Sequence, residues 1–78
     1  MTQPIYFAIV TRPGSPEQSF TIEKTSDTEA VDFAKAVAEL TDGKFRLRVF
    51  RQKSNPWKRT CLVSEDFDNP RATGAFGA

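Results

Sequence analysis

Ser26-Asp27-Thr28-Glu29-Ala30-Val31-Asp32-Phe33-Ala34-Lys35-Ala36-Val37-Ala38-Glu39-Leu40-Thr41-Asp42-Gly43 is the stretch that decides the fold. At about 100° per residue, Ala30, Val31, Phe33, Ala34, Val37, Ala38, Leu40 and Thr41 fill one half of a helical wheel. Glu29, Asp32, Lys35, Ala36, Glu39 and Asp42 fill the other half. This segregation predicts an amphipathic helix over residues 27–41. Ser26 with Glu29 has the spacing of a capping box, Asp27 is the alternative cap, and Gly43 is placed to end the helix in a left-handed conformation.

Outward from the helix the periodicity changes from helical to alternating. Upstream, Ser19 to Lys24 alternates, with Phe20 and Ile22 inward and Ser19, Thr21 and Glu23 outward. Before it, Ile5 to Thr11 is apolar on both faces, the pattern of a central strand. Arg12-Pro13-Gly14-Ser15-Pro16 between these two strands is a loop, because two prolines and a glycine break any ladder. Downstream, Lys44 to Lys53 reads as a long third strand, and Ser54-Asn55-Pro56 as a turn. Trp57 to Ser64 is a fourth strand whose inward set is either Trp57, Arg59, Cys61 and Val63 or Lys58, Thr60 and Leu62. The acidic stretch Glu65, Asp66, Asp68 then leads into a flexible C-terminal tail.

The expected fold is α+β: a four-stranded antiparallel sheet, ββαββ in spatial order 2-1-3-4, with the helix packed on one face. Residues 1–66 form the single domain and 67–78 the tail. The helix is expected to cover Ile5, Phe7, Ile9, Phe20, Ile22, Phe45, Leu47 and Val49. It leaves Tyr6, Ala8, Val10, Arg46, Arg48 and Phe50 on an open face. One helix cannot cover both sides of a sheet.

Composition narrows the function. Seventy-eight residues allow one small domain, and domains of this size gain little from core burial. The chain has no His, the commonest general base and metal ligand near neutral pH, and its one Cys permits neither an internal disulfide nor a cysteine zinc site. No phosphate loop, nucleophile elbow or zinc-protease pattern occurs, and Asp66 with Asp68 lacks the rest of a calcium loop. No catalytic residue, metal or cofactor is expected. Cys61, within a strand, reads as a small core hydrophobe. The longest apolar run, Ile5 to Val10, falls far short of the roughly 18 residues of a membrane span. Met1-Thr2-Gln3-Pro4 has no secretory pattern, so the chain reads as an intact cytoplasmic protein.

Net charge is +1, but its distribution is uneven. Lys44, Arg46, Arg48, Arg51, Lys53, Lys58 and Arg59 follow one another without an intervening acid. Glu23, Asp27, Glu29, Asp32, Glu39 and Asp42 cluster around the helix against only Lys24 and Lys35. Alternating cations on a hairpin can simply be its solvent side, where they discourage edge-to-edge aggregation. Arginine interleaved with Phe50 and Trp57 is also the composition of binding hot spots and of nucleic-acid stacking platforms. The candidate partner-binding residues are therefore Arg46, Arg48, Phe50, Arg51, Lys53, Trp57, Lys58 and Arg59.

The plan of a strand hairpin, a capped acidic helix (Ser26-Asp27-Thr28-Glu29-Ala30-Val31-Asp32-Phe33-Ala34) and a basic alternating strand (Phe45-Arg46-Leu47-Arg48-Val49) resembles very small phage-encoded inhibitors. These include proteins of the anti-CRISPR type and small inhibitors of host RNA polymerase. The likeness spans about residues 5–51 and lies in size and element order, with no functional residue carried over. It implies a stoichiometric blocker of a larger host protein complex, acting in the host cytoplasm. Contact would run through the basic hairpin or through the acidic helix as a nucleic-acid mimic. The alternatives are a small single-stranded nucleic-acid-binding module using the same hairpin, and a homodimer that buries the open sheet face around Tyr6, Val10 and Phe50.

Overall fold

The computed structural model describes residues 3–54 and 57–69. Four strands, β1 (Ile5–Thr11), β2 (Gln18–Ile22), β3 (Gly43–Ser54) and β4 (Trp57–Asn69), form one antiparallel sheet in the order β2-β1-β3-β4. The helix α1 (Asp27–Glu39) lies on one face. The α+β architecture and the strand order are those the sequence predicts.

Ser26 is the helix cap. Its hydroxyl oxygen accepts the Glu29 backbone N–H at 3.2 Å and donates to the Glu29 carboxylate at 3.1 Å. Asp27 is thereby free for another task. Its Oδ1 accepts the Tyr6 hydroxyl at 2.7 Å, and its Oδ2 accepts from the Arg51 guanidinium. An acid in the first turn also complements the helix dipole. Tyr6 and Arg51 are cross-strand partners on β1 and β3, so this triad clamps the start of the helix to the two central strands.

The other end of the helix is held by side chains from the sheet. Asn69 donates to the Ala38 and Thr41 carbonyls at 2.7 and 2.8 Å, and Arg12 donates to the Asp42 carbonyl at 3.0 Å. The Ala38 carbonyl also accepts the Thr41 N–H at 3.0 Å, and the other two bonds occupy the Thr41 and Asp42 carbonyls just past the helix end. Gly43 has the expected positive φ, +94°, which excludes most side chains, but the helix has already ended at Glu39 with Leu40 as its cap, so Gly43 opens β3 rather than ending the helix. Asn69→Ala removes both carbonyl bonds and is expected to cost about 1–2 kcal/mol, lowering the thermal midpoint by roughly 5–10 °C in a melting experiment.

Three alanines on one helix stripe, Ala30, Ala34 and Ala38, are fully buried and share the core with Tyr6, Ala8, Ile22, Phe45, Leu47 and Val49. Side chains this small let the helix approach the sheet closely. This approach reverses the expected faces of β1. Tyr6, Ala8 and Val10 lie beneath the helix, while Ile5, Phe7 and Ile9 look out from the open face. Ala8 suits an alanine-lined helix, and only from Tyr6 does a hydroxyl reach Asp27. Tyr6 and Val10 consequently cannot centre a dimer on the open face.

On the helix, Phe33 and Leu40 were expected inward but are 39% and 87% exposed, because the stripe that meets the sheet is narrower than the apolar half-wheel. The helix also stops at Glu39 rather than 41.

In β4 neither alternation holds throughout. Val49 and Phe50 pair with Val63 and Cys61, so Leu62 is an extra, bulged residue. One inserted residue swaps the facing of everything beyond it. Trp57, Arg59 and Cys61 thus lie on the open face, while Val63 and Phe67 pack toward the helix side. Cys61 is exposed, not in the core.

The strand also continues past the expected tail boundary through Phe67, Asp68 and Asn69. Phe67 stacks on Phe45 with centroids 5.2 Å apart, and Asp66 and Asp68 face Arg46 and Lys44. The rest of the expected tail, residues 70–78, lies outside the described residues, as does the turn at 55–56.

Tyr6 carries the chain's one phenol. Burial, followed by the hydrogen bond and the negative charge of Asp27, raises its pKa above the ordinary value of 10.0, with Arg51 opposing. A raised folded-state pKa means that the associated stability is complete below about pH 10 and is lost as pH rises through the folded value. Phenolate absorbance should therefore rise at higher pH in the native protein than in urea. Tyr6→Phe should abolish that signal and blunt the alkaline loss of stability.

Candidate functional site

A 13-residue helix is about 20 Å long, whereas the paired strands β3 and β4 run about 40 Å. The helix covers the hairpin from Phe45 to Arg51 and leaves the end around Lys53, Ser54 and Trp57 uncovered. The molecule is accordingly elongated, 53 × 25 × 15 Å. Among the described residues no helix or strand covers its open face.

Cross-strand register orders that face into two halves. In the half nearer Gly43, charges pair across strands. Lys44 meets Asp68 at 4.0 Å, and Arg46 meets Asp66 at 2.8 Å. Arg48 meets Glu17 at 2.8 Å, and its Nη2 lies 3.4 Å from Thr11 Oγ1. Arg48 Nε is buried with no hydrogen-bond partner among the described residues. The bond and charge of Arg46 hold the Asp66 carboxyl below the usual carboxylate range, and Asp66 in turn raises Arg46.

The half nearer the hairpin tip is aromatic. Phe7 of β1 and Phe50 of β3 are register partners, and their rings stack at 5.3 Å with 16° between planes. The Arg59 guanidinium lies 4.9 Å from the Phe7 centroid, 5.8 Å from Phe50 and 5.7 Å from Trp57. Its Nη2 lies 3.3 Å from Gln52 Oε1. Arg48 approaches Phe50 from the other side at 5.9 Å. Trp57 is 63% exposed and Ile5 53%. Cation–π contacts of this kind hold a guanidinium in one place while leaving its edge free to donate.

The eight candidate residues therefore separate. Arg46, Arg48, Phe50, Trp57 and Arg59 share the open face. Arg51 faces the other way and is committed to Asp27, and Lys53 and Lys58, which pair with each other in register, continue on that side beyond the helix. Of the seven hairpin cations, Lys44, Arg46, Arg48 and Arg51 are matched by carboxylates. Lys53, Lys58 and Arg59 have no carboxylate within 4.0 Å among the described residues. The positive charge of the hairpin is thus largely matched in the fold and its unmatched part lies at the tip, whereas Glu23, Glu29, Asp32, Glu39 and Asp42 have no cation within 4.0 Å among the described residues.

Sequence reading missed Ile5 and Phe7 because it placed them under the helix. No local signal separates them from Tyr6 and Ala8, since the strand is apolar from Ile5 to Val10; the register of Phe7 with Phe50 is what puts them on the exposed face.

Among the described residues no group of three or more Cys, Asp or Glu side chains is positioned to hold a metal ion, and no helix is long and apolar enough to cross a membrane. No protein-family model matches the chain, and no curated protein or solved structure matches it either.

Proposed function

We propose that the protein acts by stoichiometric binding, without catalysis, as a phage-type inhibitor that occupies a larger host protein complex through its open sheet face. The observation that carries this reading is the cluster of Phe7, Phe50, Trp57 and Arg59 beside a ladder of matched ion pairs. An apolar, arginine-bearing centre flanked by a polar border is the anatomy of a protein interface. A polynucleotide following the same face would have to pass Glu17, Asp66 and Asp68.

The acidic helix supports a mimicry role less well. Asp27 is consumed by Tyr6 and Arg51, and Phe33 and Leu40 interrupt the charged surface. Single-stranded nucleic acid is the second reading, favoured by Lys53, Lys58 and Arg59 beside exposed rings.

Capture from bacterial host lysate distinguishes the two readings. The wild-type protein should retain a protein species that the Trp57→Ala/Arg59→Glu double variant does not. Labelled oligonucleotides should show no shift at about 50 mM salt. An oligonucleotide shift that weakens steeply with added salt, together with no retained protein, would replace the first reading by the second.

A further inference from the structure

The two edges of the sheet are unlike. The β4 edge carries Lys58, Arg59, Glu65, Asp66 and Asp68, the kind of charge that keeps edges from pairing. The β2 edge, Gln18-Ser19-Phe20-Thr21-Ile22, contains no charge and no proline. Above it the helix leaves a groove of about 560 Å³, bounded by Val10, Phe20, Ala34, Val37 and Thr41 among others. Phe33 of the helix and Leu40 at its cap, both exposed, lie within about 60° of Val37 on the wheel, on the flank that turns to β2, and the Lys24 ammonium lies 5.6 Å from the Phe33 ring. The opposite flank of the helix turns to β4, as the Lys35–Glu65 ion pair shows.

We propose that this edge is a homodimer interface, in which β2 pairs antiparallel with β2 of a second copy across a two-fold axis. An antiparallel strand is its own complement about such an axis, so one surface satisfies both copies and the assembly closes at two. Charge and side-chain facing favour one register over its neighbour. With Thr21 on the axis, Phe20 opposes the partner's Ile22 on the helix side, Gln18 opposes the partner's Lys24, and Ser19 opposes the partner's Glu23. With Phe20 on the axis, Glu17 would oppose the partner's Glu23, and like charges directly opposite destabilise a sheet. In the favoured register the two grooves face each other across the axis, lined by Phe20 and flanked by Phe33 and Leu40 of both copies. A small chain without disulfides gains from the added burial, and the open face stays free for its partner.

Sedimentation of the full chain from about 1 μM to 1 mM tests the interface, a range that brackets weak and firm homodimers. The mass should rise with concentration from 8.7 kDa toward twice that value. Thr21→Lys and Leu40→Lys should each raise the dimer dissociation constant at least tenfold. Leu40 is 87% exposed, so its variant retains the fold, which circular dichroism checks. Three results would overturn the proposal. One is a monomer at every concentration. Another is a dimer indifferent to both variants. The third is dimerisation only after removal of residues 70–78, which would assign the groove to the chain's own end.

Discussion

Ala34→Leu is expected to cost about 1–3 kcal/mol, a large fraction of the stability of so small a domain. Ala34 has no exposed surface and lies between Ala30 and Ala38 on the stripe that faces Ala8, Leu47 and Val49. Three added heavy atoms have no space toward Ala8, Leu47 and Val49 unless the helix lifts from the sheet, although Ala34 also borders the groove beside β2. Lifting would strain both anchors, Tyr6 to Asp27 at one end and Asn69 to Ala38 and Thr41 at the other. The control is Ala36→Leu on the exposed side of the same helix, where the effect should stay within about 0.5 kcal/mol. Urea denaturation of the two variants separates packing from propensity, since the residue change is identical. Equal midpoints would show that the helix does not rest on its alanines.

The second large effect concerns binding. Trp57→Ala/Arg59→Glu is expected to weaken partner binding at least 100-fold with little change in stability. Truncating one central Trp or Arg of an interface commonly costs 2 kcal/mol or more, and reversing a charge adds repulsion to the loss. Trp57 is mostly exposed and, among the described residues, the Arg59 guanidinium meets the Phe7, Phe50 and Trp57 rings and Gln52, none of them in the buried core. Removing the ion-pair ladder instead, for example Lys44→Ala with Asp68→Ala, should change affinity only a fewfold, because exposed matched pairs contribute little. Titration calorimetry with the captured partner gives both numbers. A ladder variant that fails while the tip variant binds would move the centre of the interface toward Gly43.

Element types and their order were legible because each has a strong local signal. The helix has its capped, two-faced wheel, and Phe20 and Ile22 have their alternation. The facing of side chains was less legible wherever that signal vanishes. β1 is apolar at every position, so periodicity cannot choose between Tyr6 and Phe7, and the choice falls to the size of Ala8 against the helix alanines. The Leu62 bulge has no local signature. It reverses Trp57, Arg59 and Cys61 relative to Val63 and thereby builds the aromatic half of the open face. The acids at 65–68 resemble a solvated tail until their partners are known. Only cross-strand register, a long-range property, shows that they answer Lys44 and Arg46. The candidate site was accordingly recognised by composition but not by its geometry. The arginines and aromatics were found, Phe7 and Ile5 were not, and Arg51 was included although it serves the helix.

Cys61 offers the most direct measurement of whether the open face is the binding surface. It is the chain's single thiol, it is exposed, and it lies opposite Phe50 on that face. Its alkylation rate reports occupancy of the face with no substitution in the protein. With the captured partner in saturating amount, the rate should fall at least tenfold relative to the free protein. An unchanged alkylation rate in the fully formed complex would contradict the assignment, because a partner seated on Phe7, Phe50, Trp57 and Arg59 must cover Cys61.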